Sequence, residues 1–63
     1  MKPKTFIKLI EKHGWYLARE GKGSHKIFKH PDKPNHLSLP VHSNRDIPEG
    51  TWKQLLKDAG IRF

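Results

Sequence analysis

The chain of 63 residues contains no cysteine, so neither a disulfide nor a thiolate-bound metal can hold it together. It has no apolar run approaching the ~20 residues that a membrane-spanning helix requires. Residues 1–5 lead into charged, helix-like sequence and not into the apolar core of a secretory signal. We therefore expect a cytoplasmic protein without a membrane partner, in which residues 1–63 form one domain that depends on packing alone.

Acidic residues are scarce: 6 Asp and Glu stand against 13 Lys and Arg, and the formal net charge is +7. The positive excess lies before Asp46, and residues 19–45 also hold four of the five histidines. This balance favours a polyanionic partner, because lysine and arginine neutralise phosphates and release counterions. A solvated, lysine-rich surface with no such partner is the alternative interpretation.

The sequence predicts two amphipathic helices and three strands in the order α-β-β-β-α. The first helix is expected from about Thr5 to a stop at Gly14, and the second, with Pro48 in its first turn, stops at Gly60. The strands are expected over residues 15–20, 24–30 and 36–42, and residues 31–35 are expected to form a turn. Short connections require an α+β fold with an antiparallel three-stranded sheet, both helices on one face and the other face open.

Alternation along the strands assigns their apolar residues to one face or the other. We place in the core Trp15, Leu17, Ile27, Leu37, Leu39 and Val41. Phe28 is ambiguous because it adjoins Ile27, and Tyr16 and Phe28 are candidates to stack on bases if the open face binds RNA. Pro40 lacks an amide donor, which predicts an edge strand or a bulge there.

The motif Gly23-Ser24-His25 follows a predicted hairpin turn, in which Gly21 and Gly23 supply positive φ angles. Gly23 lets the backbone approach a substrate, and Ser24 offers a hydroxyl and an amide. His25 is the candidate catalytic residue, because imidazole exchanges a proton near neutral pH. Lys22 and Lys26 flank the motif and would counter the charge of a phosphodiester. The candidate substrate-binding residues are Lys22, Gly23, Ser24 and Lys26.

These residues suit RNA cleavage, in which the 2′-hydroxyl beside the scissile phosphate is the nucleophile. The enzyme then supplies a base, an acid and charge stabilisation, without a metal, and leaves a 2′,3′-cyclic phosphate and a 5′-hydroxyl. Taken alone, however, Gly-Ser-His is a weak pattern, since a surface histidine after a turn is more often inert.

The remaining histidines are expected to be structural or solvated. His30 lies five positions after His25, so an ideal strand points the two to opposite faces, and we predict a structural role at the strand end. His36 and His42 share the outward face of the third strand, where contact with a phosphate is the alternative to simple solvation. His13 is expected to interact with the C-terminal end of the first helix. Their spacing does not form a compact metal site, so we expect no metal and no cofactor.

Residues 9–15, 23–31 and 50–61 carry a resemblance that extends over nearly the whole chain. In this order and at this spacing they resemble the HicA toxin family, also called the YcfA-like family, of type II toxin–antitoxin systems. The resemblance implies a fold similar to double-stranded-RNA-binding domains and a metal-independent endoribonuclease activity on mRNA. It also implies that His25 is catalytic and that a HicB-like antitoxin binds the chain and masks the site.

Two other functions fit the same layout. A non-catalytic double-stranded-RNA-binding module would carry a dense lysine cluster at the start of its last helix, whereas residues 48–53 contain one lysine and one glutamate. A small partner-binding adaptor would show neither RNA cleavage nor salt-sensitive affinity for RNA.

Overall fold

The protein contains two helices and three strands in the predicted order. The computed structural model describes residues 1–41 and 45–62. The elements are α1 (Pro3–Lys12), β1 (Tyr16–Glu20), β2 (His25–His30), β3 (Lys33–Pro40) and α2 (Glu49–Asp58). The strands form one antiparallel sheet in the order β1-β2-β3, which makes β2 the central strand. The predicted α-β-β-β-α architecture is confirmed.

The register of the sheet separates its side chains onto two faces. Phe28 of β2 pairs with Leu17 of β1 and Leu37 of β3, whereas Ile27 pairs with Arg19 and Ser38. Because paired residues share a face and successive residues alternate, Phe28 and its partners lie on the face beneath the helices, the helix face. The opposite face, called the open face here, carries Tyr16, Arg19, His25, Ile27, Lys29, His36, Ser38 and Pro40.

Both helices cover the helix face and share one core with it. The core contains Phe6 and Ile10 of α1, Leu55, Leu56 and Ala59 of α2, and Trp15, Phe28, Leu37, Leu39, Ile47 and Ile61. This arrangement confirms the prediction that the helices lie on one side of the sheet, and that Trp15 is buried. Neither described helix is long and apolar enough to cross a membrane.

Proline and glycine define the ends of the helices. α1 begins at Pro3, two residues before the predicted start. Proline suits the first turn because the backbone N–H that it lacks would have no hydrogen-bond partner within the helix. Gly14 and Gly60 follow α1 and α2 with φ angles of 93° and 74°, as predicted for helix stops. In the β1–β2 turn Gly23 has a φ of 64°, but the expectation of a positive φ at Gly21 is wrong.

β3 begins earlier than the sequence indicates. His30 pairs with Lys33, so the predicted turn over residues 31–35 is wrong in its last three residues, which belong to the strand. The register shifts between Phe28 and His30 and accommodates the extra residues on β3. β3 tolerates Pro34 and Pro40 because it is an edge strand, where a residue without a backbone N–H need not break a ladder hydrogen bond. This confirms the edge position that Pro40 predicts. The predicted position of His42 lies outside the described residues.

Two of the predicted core positions need correction. Leu17 is 45% exposed: it faces the same side as Phe28 but lies on the edge strand β1, so the prediction that it is buried is wrong. Ile27 is buried but lies on the open face, where a Cβ added at Gly21 would lie 3.5 Å from its Cδ1. Phe28, which the sequence left ambiguous, is the member of this adjacent pair that enters the core.

Gly14 provides a test of the α1–β1 junction. A Cβ atom there would lie 2.7 Å from Nε2 of His30, and φ is 93°. We expect Gly14→Ala to lower the free energy of unfolding by about 2 kcal/mol, because a side chain at positive φ adds strain to the clash. Chemical denaturation measures the change.

Gly50 is the matched control, since it lies in α2 and a Cβ there meets nothing within 4 Å. Gly50→Ala is expected to leave stability unchanged or to raise it by up to about 1 kcal/mol. Equal effects of the two substitutions would contradict this account of Gly14.

Candidate functional site

His25 is the first residue of β2 and is exposed on the open face. Its Nδ1 lies 3.0 Å from Oγ of Ser38 on β3, a hydrogen bond in which either atom can donate. The backbone around it is held on both sides: Gly21 N–H donates to the His25 carbonyl at 2.8 Å, and Val41 N–H donates to the Ser24 carbonyl at 3.0 Å. The imidazole is therefore accessible to a ligand but carried by an ordered part of the sheet.

Cationic and aromatic side chains share the face of His25. Arg19 pairs with Ile27, the residue two positions before Lys29, and Lys29 in turn pairs with Tyr16. Arg19, Lys29 and Tyr16 are all exposed. None of the open-face residues named above is acidic, so the face presents positive charge around an imidazole. Sequence reasoning missed Arg19 and Lys29, although the period of two along residues 25, 27 and 29 was a signal for Lys29.

The structure brings three of the four predicted substrate-binding residues to His25 and separates the fourth. Lys22, Gly23 and Ser24 form the exposed turn that leads into the strand. Lys26 instead lies on the helix face, opposite Leu39, with its Nζ 3.1 Å from Oε1 of Glu20. Since adjacent strand residues point to opposite faces, Lys26 is directed away from the imidazole.

The two aromatic stacking candidates differ in accessibility. Phe28 is 1% exposed and belongs to the core, so its prediction as a base-stacking residue is wrong. Tyr16 is 48% exposed, which leaves its ring available on the open face. An exposed aromatic ring beside cations is typical of surfaces that bind single-stranded nucleic acid.

His30 has a structural role, as predicted. Asp32 N–H donates to Nδ1 of His30 at 3.0 Å, so the proton of the neutral ring is on Nε2, which donates to the His13 carbonyl at 2.8 Å. The ring also packs edge-on against Trp15, with 5.2 Å between centroids. His30 thus connects the α1–β1 junction to the β2–β3 turn.

Of the other described histidines, His36 shares the open face with His25, as predicted, whereas His13 lies at the end of α1. Nδ1–H of His13 donates to the Leu9 carbonyl at 3.0 Å, which confirms its predicted interaction with the end of α1. His36 is exposed. Within residues 1–41 and 45–62, no three His, Asp or Glu side chains are grouped so that they could hold a metal ion.

The start of α2 carries an ion pair in place of a lysine cluster. Nζ of Lys53 lies 2.9 Å from Oε2 of Glu49, and this hydrogen bond together with the charge of Lys53 lowers the pKa of Glu49. The carboxylate is therefore ionised at neutral pH at the end of the helix that would otherwise attract phosphate. This disfavours duplex-RNA binding through α2.

Comparison with known proteins agrees with the fold and the motif. The model of a family described as the HicA toxin of bacterial toxin–antitoxin systems matches residues 3–61. The chain belongs to the HicA toxin family. A solved structure of a "HicA3 and HicB3 toxin-antitoxin complex" contains a chain that is 29% identical to this HicA chain, with a TM-score of 0.83 over 100% of this chain and 98% of that one. No curated protein matches the chain.

His30 provides a test of which histidine is structural in this HicA chain. His30→Ala removes two hydrogen bonds and the contact with Trp15, so we expect the free energy of unfolding to fall by about 2 kcal/mol. His36→Ala, on the exposed surface of β3, is the control and should change it by less than about 0.5 kcal/mol. A His30→Ala protein as stable as wild type would contradict the structural role.

Proposed function

We propose that this HicA chain is the toxin of a type II toxin–antitoxin system and a metal-independent mRNA endoribonuclease, with His25 as its acid–base residue. One observation carries the proposal: an exposed imidazole, held by Ser38 through Nδ1, lies on a sheet face that has cations and no acid. No described residue hydrogen-bonds Nε2, so that nitrogen is available to a substrate.

In the proposed reaction, the 2′-oxygen of a ribose attacks the adjacent phosphorus and the bond from phosphorus to the 5′-oxygen breaks. Nε2 of His25 accepts the proton of the 2′-hydroxyl, and the leaving 5′-oxygen receives a proton from the same nitrogen or from water. The products are a 2′,3′-cyclic phosphate and a 5′-hydroxyl. A positioned general base of this kind contributes ~10²- to 10⁴-fold in rate.

The substrate would lie across the open face. Arg19, Lys29 and Lys22 counter the negative charge that develops on the phosphorane, since each is exposed on the open face or in the turn next to it. Gly23 and Ser24 form the backbone of that turn. Tyr16 provides an exposed ring for a neighbouring base. Arg19 and Lys29 replace Lys26 in this assignment, because Lys26 is paired with Glu20 on the helix face.

The proposed protein partner is a HicB-like antitoxin that covers the open face and so excludes RNA from His25. The similar solved structure, titled as a complex of HicA3 with HicB3, supports a HicB-like partner for this chain. The genomic observation that bears on it is whether an adjacent reading frame encodes a HicB-like protein.

The catalytic assignment is tested by an RNA cleavage assay in the presence of EDTA. We expect wild type to cleave mRNA and His25→Ala to lose at least ~10²-fold in rate, because the proton acceptor is removed. His13→Ala is the matched control: it also removes an exposed histidine, but one at the end of α1, and should cleave like wild type.

Three results would contradict the proposal. Full cleavage by His25→Ala would exclude the acid–base role. Cleavage abolished by EDTA would exclude a metal-independent reaction. Wild-type protein that shifts duplex RNA without cutting it would favour the non-catalytic RNA-binding module.

The binding face is tested by the salt dependence of RNA affinity. Lys29→Ala removes one open-face cation, so we expect weaker binding and a slope of log K against log salt that is smaller by about 0.7, the value for one phosphate of a single strand. Lys8→Ala removes the same charge from the exposed surface of α1 and should leave the slope unchanged. Equal slopes for the two variants would mean that Lys29 and the open face do not contact the RNA.

A further inference from the structure

Ser38 lies where it can orient the His25 ring. In residues 1–41 and 45–62, its hydroxyl is the one side-chain group that hydrogen-bonds this imidazole, at 3.0 Å from Nδ1. The two residues are thirteen positions apart and are brought together only by the pairing of β2 with β3. Ser38 and His25 are both exposed, so this hydrogen bond is not needed to satisfy a buried polar group.

The core fixes the position of the Ser38 backbone, from which this hydroxyl projects. Leu37 and Leu39, on either side of Ser38, are 1% and 0% exposed and point into the core. They pair with Phe28 and Lys26 of β2, so the pairing of β2 with β3 is regular on both sides of Ser38. An exposed serine between two fully buried leucines cannot shift along or rotate about the strand without disturbing the core.

We propose that Ser38 is a positioning residue, which accepts the Nδ1–H of His25 and thereby leaves Nε2 as the proton acceptor that meets the ribose. The proposal rests on the proposed function and assigns a further residue to its site. The hydrogen bond that one ring nitrogen makes selects the tautomer of a neutral histidine. A serine oxygen accepts Nδ1–H whether the ring is neutral or protonated, so the contact persists while Nε2 gains and loses its proton.

A hydroxyl also suits this surface better than a carboxylate. A carboxylate would orient the ring equally well, but it would place negative charge on the face that must attract phosphates. Ser38 orients the imidazole and adds no acid to the open-face residues named above.

The test compares Ser38→Val with Ser38→Thr, because valine and threonine have nearly the same shape and both suit a strand, but threonine alone keeps the hydroxyl. We expect Ser38→Val to lower kcat about tenfold, a part of the general-base contribution, while KM and the free energy of unfolding stay close to wild type. Ser38→Thr is expected to retain most of the wild-type kcat. A merely structural role would change stability or KM and would not distinguish the two variants by kcat.

Nitrogen-15 NMR of the His25 ring gives a readout that does not depend on RNA cleavage. We expect neutral wild-type protein to carry the ring proton on Nδ1, and Ser38→Val to shift the population towards Nε2–H. A wild-type ring protonated on Nε2 would overturn the proposal, and so would wild-type kcat in Ser38→Val.

Parallel measurement of His25→Ala separates the two claims. If His25→Ala is inactive and Ser38→Val has wild-type kcat, the positioning role fails while the proposed function stands. If His25→Ala is fully active, the proposed function fails and the catalytic role of Ser38 fails with it.

Discussion

The alternation of side chains along β2 and β3 couples the core of this protein to its candidate site. Burial of Phe28, Leu37 and Leu39 contributes about 1.5–3 kcal/mol for each side chain, which makes the register of the two strands a property of the core. A slip of β2 by one residue would expose Phe28 and turn His25 towards the helices, and a slip of β3 by one residue would expose Leu37 and Leu39. The packing that stabilises a small domain without cysteine is therefore also what places an imidazole and its hydroxyl partner on the outer surface.

His25 and His30 begin and end the same strand and differ in their contacts because they lie on opposite faces. Both nitrogens of His30 are engaged by backbone groups, and its ring packs against Trp15, so it has no free nitrogen for a reaction. His25 has one nitrogen engaged by a side chain, and no residue in 1–41 or 45–62 hydrogen-bonds the other. Residue type alone does not distinguish them; the face of the strand and the count of satisfied ring nitrogens do.

Features set by local chemistry could be predicted from the sequence, and features set by pairing could not. The stop at Gly14 follows from the conformational freedom of glycine, and the order of elements follows from periodicity. The inclusion of Pro34 in β3 and the exposure of Leu17 depend on which strands lie at the edges of the sheet. Lys26 was assigned to the site because it adjoins His25, yet strand alternation separates neighbours. Ser38 could not be found at all, because its contact with His25 requires the register of β2 and β3.

The central claim is that the open face, and not a helix, receives RNA. The most direct measurement is an NMR titration of His25→Ala protein, which leaves the RNA intact, with a single-stranded RNA. The account predicts that the largest amide shifts fall on Tyr16, Arg19, Lys29 and Ser38, with little change in α1 and α2. Shifts concentrated on α2, with an unperturbed open face, would contradict it.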